Sequence, residues 1–391
     1  MRSHRIFVLF VAAAAISAAC TSDGTTASTS AGSAAVTEPS PTSPPSGPGT
    51  NGKIAFYRDF EGVMTIDPDG THEEPIGADL VLQSGEAWSP DSSKLLVLRF
   101  LEEGARPATI NPDGSDLTLL NHYPDLKQHL GCGFWSPDAT RFLCGTIEDP
   151  EPVNGIYTLR SADGGGLKQI MTTGEGCVRG GPCIEVIPGG YSADGSLILF
   201  NRQERSTHLG NLFVVKPDGT DLRQLSPSKL LTPEGDYDWS RDGSQVAFGA
   251  SSAPSTGGDA GSAVFVINAD GTGLRRITPF SLGAYSVRWS PDGQLIAFSN
   301  AEPPLDSQIY VVAPDGTGLL QLTEPVDGVE SFGPEWSPDS TKLAFQSWTA
   351  PESEGGHNDL WTVNADGTGL FQLTSAPNIE NTLNWGSAPV G

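Results

Sequence analysis

The sequence is short of positive charge. Lys and Arg total 22 against 47 Asp and Glu, which gives a formal net charge of -25 and a pI near 4.4. Nucleic-acid binding needs clustered Lys and Arg to neutralise phosphates, and adsorption to an anionic lipid surface needs them too. The composition therefore argues against both kinds of partner.

Motifs for common enzymes are missing as well. The chain has no Gly-x-Ser-x-Gly nucleophile elbow and no His-Glu-x-x-His metal motif, although it contains 6 histidines. Asp-Gly pairs recur, but a glycine directly after the acid does not match the EF-hand loop, which needs glycine at its sixth position. The motifs therefore predict no metal and no cofactor.

Long apolar runs are absent except at the N-terminus, where IFVLFVAAAAISAA follows the basic MRSHR. This run is short for a membrane span and is typical of an export signal. It ends at Cys20, which resembles a bacterial lipoprotein signal in which Cys20 carries lipid. Ser17 stands where that pattern usually has Leu, and Ser17-Ala18-Ala19 also suits ordinary cleavage and secretion. We predict a signal peptide over residues 1–19 and contact with the membrane through the Cys20 lipid only, with secretion as the alternative.

The next segment has almost no bulky apolar side chain. Residues 21–50 consist mainly of Ser, Thr, Ala, Pro and Gly, and such a segment cannot bury enough surface to offset its ordering entropy. We predict a disordered tether over residues 20–50 that begins at the lipidated cysteine.

What the sequence does have is one repeated unit from residue 51 to residue 391. An aromatic residue precedes a Ser-Pro-Asp type turn, an apolar run follows, a second apolar run ends at an Asp-Gly turn, and a fourth short run closes the unit. We name these four strands A to D. The aromatic residue recurs every 47–56 residues, at Trp88, Trp135, Tyr191, Trp239, Trp289, Trp336 and Trp385.

Four strands joined by tight turns and repeated at this period match the blade of a β-propeller. We predict an all-β fold, a seven-bladed β-propeller of four-stranded antiparallel blades. The first unit lacks an A strand and the last has only an A strand, at Trp385. The N- and C-terminal strands should therefore share one blade, and this closes the ring.

The repeat resembles the TolB-type, WD-like propeller repeat, as in WSPDGQLIAF at 289–298 and YVVAPDGTGL at 310–319. Tyr191 and Arg241 are departures that leave the turn intact. The resemblance implies a propeller in an envelope or extracellular protein, often a binding platform, and it implies no single reaction.

Antiparallel order places the A–B and C–D turns on one face and the B–C loops and D–A connections on the other. Sequence variation is concentrated in the second set, and binding residues commonly lie on variable loops. His122, His129, His208 and His357 all map to this face, and some TolB-like propellers, the oligogalacturonate lyases, are metal-dependent enzymes with central histidines. No metal-ligand spacing links these histidines, and the sequence favours solvated loop positions for them.

Charged residues near the repeat aromatic could reach the mouth of the central channel. The candidates for ligand binding are Asp236, Asp238, Arg288 and Glu335, with His208 and His357 from the loops. The carboxylates could meet a cation or a cationic group, or they could simply be surface charges that aid solubility.

Four cysteines remain after Cys20, and an even number behind an export signal favours disulfides over free thiols. Cys132 and Cys144 flank the Pro137-Asp138 turn symmetrically, with Trp135 expected opposite Arg141, so we predict a Cys132–Cys144 bridge. Cys177 and Cys183 would close the glycine-containing loop between them.

These observations predict an exported, monomeric, membrane-anchored propeller that binds a protein, peptide or glycan on its variable face without catalysis. The alternative is a metal-dependent glycan lyase or hydrolase with its site on the same face.

The anchor can be tested directly. Cys20→Ala removes the sulfur to which the lipid would be attached, so we expect the protein to move from the membrane fraction to the soluble or secreted fraction. Fractionation with mass spectrometry of the mature N-terminus measures this. Unchanged partitioning with an unmodified N-terminus would contradict the anchor.

Overall fold

The fold is described by a computed structural model, which covers residues 49–388 except 84, 103, 121–128, 148–154, 174–183, 234, 253–260, 301–306, 327, 350–356 and 377. Cys20, His122, Cys177 and Cys183 lie outside the described residues. No described segment is a helix of the length and apolarity that crossing a membrane requires.

The described elements are strands, apart from one 3-10 turn at Phe280–Leu282. In chain order they are β1 (Asn51–Arg58), β2 (Gly62–Ile66), β3 (Glu74–Gly77), β4 (Leu80–Leu82), β5 (Leu95–Leu101), β6 (Gly104–Ile110), β7 (Thr118–Leu119), β8 (His129–Trp135), β9 (Arg141–Ile147), β10 (Gly155–Arg160), β11 (Lys168–Thr172), β12 (Ile184–Tyr191), β13 (Ile198–Glu204), β14 (Leu209–Val215), β15 (Arg223–Gln224), β16 (Leu230–Pro233), β17 (Tyr237–Trp239), β18 (Gln245–Ser252), β19 (Ser262–Asn268), β20 (Arg275–Arg276), β21 (Ala284–Trp289), β22 (Ile296–Asn300), β23 (Ile309–Val312), β24 (Leu320–Gln321), β25 (Val329–Trp336), β26 (Lys342–Thr349), β27 (His357–Asn364), β28 (Phe371–Gln372) and β29 (Glu380–Ser387).

These strands form seven antiparallel blades. Blade 1 has the order β29-β1-β2-β3, and blades 2, 3, 6 and 7 are β4–β7, β8–β11, β21–β24 and β25–β28. Blade 4 (β12–β15) and blade 5 (β16–β20) are joined into one nine-stranded sheet, because β14 pairs with β16. The predicted seven-bladed propeller is therefore confirmed, including the blade shared by the N- and C-terminal strands.

Apolar packing between blades accounts for the core. Seven clusters of buried residues lie one at each junction between neighbouring blades. Phenylalanines of the B strands, such as Phe200, Phe248, Phe298 and Phe345, are fully buried in them. Each blade thus buries both faces of its sheet against neighbours, which is how a ring of small sheets avoids one oversized core.

Three of the repeated tryptophans also donate a hydrogen bond across a blade junction. The indole N–H of Trp135 donates to Ala87 O at 3.1 Å, and that of Trp336 donates to Arg288 O at 3.2 Å. Trp88 donates in the same way to Asn384 O, which carries the contact from blade 2 to blade 1. Each acceptor is the residue before the aromatic of the preceding blade, so one repeat position anchors the next.

The turns satisfy their own polar groups. In each C–D turn the Asp carboxylate accepts the backbone N–H two residues on, as Asp315 does from Thr317 at 2.9 Å. The following glycine takes a left-handed conformation, with φ 89° at Gly316, as this turn requires. In the A–B turns, Ser290 Oγ donates to Asp292 Oδ1 at 2.7 Å and accepts the N–H of Leu295.

Blade 3 carries the Cys132–Cys144 disulfide between its A and B strands, which is the predicted pairing. One detail of the prediction is wrong, because Trp135 pairs with Phe142 and not with Arg141. The strand register shifts by one residue between Cys132 and Phe134, and Cys132 therefore still lies opposite Cys144. Such a bulge adds one residue to a single strand, which a count from the turn does not reveal.

A buried ion pair joins the two strands that close the ring. Arg58 of β1 lies opposite Glu380 of β29, and its Nε donates to Glu380 Oε1 at 2.7 Å. Glu380 is fully buried. Burial alone would lower the pKa of Arg58, but its hydrogen bond to Glu73 and the charge of Glu380 outweigh that effect and raise it. Arg58 therefore stays charged between the two acids.

Removing one partner of this pair should loosen the shared blade. Because Arg58 would keep Glu73 but lose its buried partner, we expect Glu380→Gln to lower the free energy of unfolding by about 2–3 kcal/mol. Urea denaturation measures the change. The control is Glu61→Gln, since Glu61 is a more exposed partner of Arg58 at 3.5 Å and should cost below about 1 kcal/mol. Equal effects of the two variants would contradict the closing role of Glu380.

Candidate functional site

Charged side chains from separate blades meet at the axis of the ring. Asp238, Arg288 and Glu335 each directly precede a repeat tryptophan, in blades 5, 6 and 7. Arg288 Nε lies 3.6 Å from Glu335 Oε2, and an Arg288 Nη1 N–H donates to Gly235 O at 2.9 Å. Three of the predicted site residues are therefore brought together.

A fourth residue, Glu86 of blade 2, joins this group from across the ring. Its charge interacts with those of Asp238, Arg288 and Glu335. Glu86 is exposed to solvent, although protein lies around it. We call Glu86, Asp238, Arg288 and Glu335 the axial cluster.

The pKa values of the axial carboxylates lie above their ordinary range. The loss of hydration caused by the surrounding protein, together with the charge of Asp238, raises the pKa of Glu86 to about 7, and Arg288 opposes the rise. Burial likewise raises the pKa of Glu335 to about 7 and that of Asp238 to about 6. The cluster therefore gains negative charge as the pH passes through neutrality, which is typical of interacting acids in a confined site.

Two of the predicted acids also hold blade 6 in place. Asp236 Oδ1 accepts the backbone N–H of Ser286 at 2.6 Å, and Asp238 Oδ2 accepts that of Trp289 at 2.8 Å. Asp236 is buried, and burial raises its pKa to about 7. Asp236 is thus less available to a ligand than the axial cluster beside it.

The predicted histidines lie elsewhere. His208 is exposed in the B–C turn of blade 4, where its backbone N–H donates to Glu204 O at 2.9 Å. His357 begins β27 of blade 7, with Nε2 3.6 Å from Asp359 Oδ2, and His129 is the first residue of β8 instead of part of a connection. Within the part of the chain that the structure describes, no three His, Cys, Asp or Glu side chains are grouped so as to hold a metal ion.

The site residues therefore divide between the two ends of the ring. The axial cluster lies where the A strands run into the Ser-Pro-Asp turns, whereas His208 and His357 lie at the B–C end. Sequence reasoning missed Glu86 because it stands two residues before Trp88, and because this part of blade 2 is irregular, with only a Trp88–Leu95 bridge after β4. The sequence signal that could have identified Glu86 is an acidic residue close to a repeat tryptophan.

Exposed apolar side chains lie in two places, the outer D-strand edge of the blades and the B–C/D–A face. Among the described residues, six large exposed ones lie at or directly before the short outermost D strands. The other five all lie at the B–C or D–A end of their blades, at Phe60, Phe100, Ile184, Val326 and Ile379. Apolar groups exposed on the rim of a rigid scaffold are typical of interaction surfaces.

The described chain begins on the opposite face. Gly49 N–H donates to Pro338 O at 3.0 Å, and Asn51 Nδ2 donates to Asp339 Oδ2 at 3.0 Å. Pro338 and Asp339 form the A–B turn of blade 7. The polypeptide that precedes residue 49 is therefore attached on the face of the turns, away from the B–C and D–A segments.

No protein-family model matches the chain. It is 29% identical over 136 residues to dipeptidyl-peptidase 5 of Porphyromonas endodontalis, over 33% of this chain and 19% of that protein. It is 42% identical over 55 residues to the Tol-Pal system protein TolB of Anaeromyxobacter dehalogenans, over 14% of this chain and 12% of TolB. The matches thus span less than a fifth of either relative.

Among solved structures, the β-propeller domain of the Trilobed protease from Pyrococcus furiosus is similar with a TM-score of 0.57 at 11% identity, over 85% of this chain and 95% of that one. That domain is described as having an open velcro topology, whereas β29 pairs with β1 here. The resemblance of the repeat to TolB and related propellers is confirmed. At these identities the structural likeness shows the fold alone.

The axial cluster makes stability depend on pH in a defined direction. The unfolded chain releases the Glu335 proton near pH 4.5 and the folded protein near 7, so the stability linked to this proton is present below pH 4.5 and is lost as the pH rises through 7. We therefore expect Glu335→Gln to melt about 2–4 °C above the wild type at pH 8 and by less at pH 5.

The matched control is an aspartate whose pKa is shifted in the opposite direction. The hydrogen bonds from Thr317 lower the pKa of Asp315, so its contribution is present above its ordinary pKa and is lost in acid. Asp315→Asn should lower the melting temperature at pH 8 and have less effect near pH 2, below the ordinary pKa of aspartate. Scanning calorimetry across this range measures both variants, and a Glu335→Gln effect that does not grow with pH would contradict the raised pKa.

Proposed function

We propose that the protein is an exported, surface-tethered β-propeller that binds a protein, peptide or glycan on its B–C/D–A face and catalyses no reaction. The observation that carries this proposal is the position of the exposed apolar groups, since those outside the D-strand edge lie on that face. A rigid ring with variable, partly apolar loops at one end is suited to recognition.

The point of chain entry supports the same orientation. With an anchor at Cys20 and a tether over residues 20–50, the propeller hangs from its turn face, because Gly49 is bound there to Pro338. The B–C/D–A face then points away from the membrane, toward soluble or envelope ligands. Similarity of one segment to TolB, a Tol-Pal system protein, fits a non-catalytic role in the envelope.

The axial cluster is proposed as a second contact, for a cationic group that enters the channel. Glu86, Asp238 and Glu335 supply three carboxylates against the single guanidinium of Arg288. A bound cation would favour their charged forms. Asp236, His208 and His357 also remain predictions as ligand contacts.

The alternative of a metal-dependent glycan enzyme has less support. The described histidines lie in blades 1, 3, 4 and 7, and no observation within the described ranges favours a shared metal site. The similarity to dipeptidyl-peptidase 5 covers 33% of this chain, and no reaction is carried over from it.

The proposed binding face can be mapped with a photo-crosslinking residue in living cells. Placing p-benzoylphenylalanine at Phe100 or Val326 should give crosslinked complexes, because both are exposed on the B–C/D–A face. Matched positions on the turn face are Ser196 and Gln294, which are exposed in A–B turns, and they should give none. Crosslinks confined to the turn-face positions would overturn the assignment of the face.

A further inference from the structure

Phe60 is presented in an unusual way at the tip of the turn between β1 and β2. It is 92% exposed, the most exposed of the large apolar side chains in the described ranges. Its φ of 66° lies in the left-handed region, where Gly, Asn and Asp are common and other residues rare. Neither the backbone conformation nor burial explains a phenylalanine at this position.

The turn that carries Phe60 is fixed on both sides. Asp59 N–H donates to Ile379 O at 2.9 Å, and Glu61 N–H donates to Arg58 O at 3.1 Å. Glu61 Oε1 also accepts from Asn378 Nδ2 at 2.9 Å. Since Arg58 is held by the buried Glu380, the aromatic ring projects from a rigid base and loses little freedom on binding.

We propose that Phe60 is an anchor that inserts into an apolar pocket of a partner protein, and that the rim of this pocket is basic. The proposal rests on the assignment of the binding face made above and names its central contact. Asp59 and Glu61 flank the ring directly, in a chain of net charge -25, so a positive rim would complement them. Buried aromatic anchors surrounded by polar rims commonly dominate the affinity of an interface.

Other occupants fit less well. A second copy of this chain would bring equally acidic surfaces together, and an anionic membrane would repel Asp59 and Glu61. The proposed anchor also places the membrane on the side of Gly49, and Phe60 lies on the opposite face. A heterologous protein with a basic rim is therefore the favoured occupant, and the other two become outcomes of the test.

The experiment uses the full-length protein in its own cells. Phe60→p-benzoylphenylalanine is irradiated, and the crosslinked protein is identified and purified. Its Kd is then measured for the wild type, for Phe60→Asn, which suits the left-handed turn, and for Phe371→Asn, which removes an exposed phenylalanine from a D strand.

We expect Phe60→Asn to weaken binding by about 30-fold or more, with an unchanged or higher melting temperature. Phe371→Asn should change the Kd by less than about twofold, and raising the salt concentration should weaken wild-type binding. Together these results would support the anchor.

Crosslinking only to lipid, crosslinking only to a second copy, or a Kd unaffected by Phe60→Asn would overturn it. If Phe100 and Val326 give crosslinks and Phe60 gives none, the anchor is wrong while the binding face stands. If none of the three positions gives a crosslink, the proposed function fails with it.

Discussion

The pairing of β29 with β1 is the contact on which the ring depends. Without it, blade 1 would have three strands and an open inner edge, which would invite association with other chains. The same strand carries Leu383 and Trp385 into the apolar cluster with blade 7. It also supplies Asn384, whose carbonyl and side-chain oxygens accept from Trp88 and Ala87 of blade 2. One C-terminal strand thus joins three blades, and no blade junction remains a free surface.

The residue directly before the repeat aromatic contributes both to the packing of the blades and to the candidate site. In three blades the residue before the aromatic supplies the backbone carbonyl that receives the next blade's indole, as Ala87 does for Trp135 and Arg288 does for Trp336. The side chain at this position is Asp238, Arg288 and Glu335 in three successive blades, and these side chains form most of the axial cluster. Asp238 also joins two blades, because its Oδ2 accepts the backbone N–H of Trp289. A change of charge at this position would therefore also change how blades 5 and 6 join.

The sequence predicted the fold more completely than the site. The spacing of the tryptophans and the unequal ends of the chain were sufficient for seven blades and a shared one, because each blade is local and its turns have strong signals. Pairings that depend on neighbouring blades were not predictable, such as β14 with β16. Among the site residues, Asp238, Arg288 and Glu335 follow from the repeat, whereas Glu86 follows only from the three-dimensional path of an irregular segment. The inter-blade bond of Asp236 to Ser286 likewise has no local signal.

The two faces differ in the side chains that they present. On the turn face, the aspartates are engaged by their own loops, as Asp315 is by Thr317 and Asp339 by Thr341, so these charges mainly fix turn geometry. Hydrogen bonding lowers the pKa of both aspartates, although burial opposes the shift at Asp339. On the opposite face, Phe60 and Val326 remain exposed on segments of variable length. Under the proposed attachment through the turn face, the side chains that point away from the anchor are those on the loops of variable length. The net charge of -25 would then favour partners with basic surfaces.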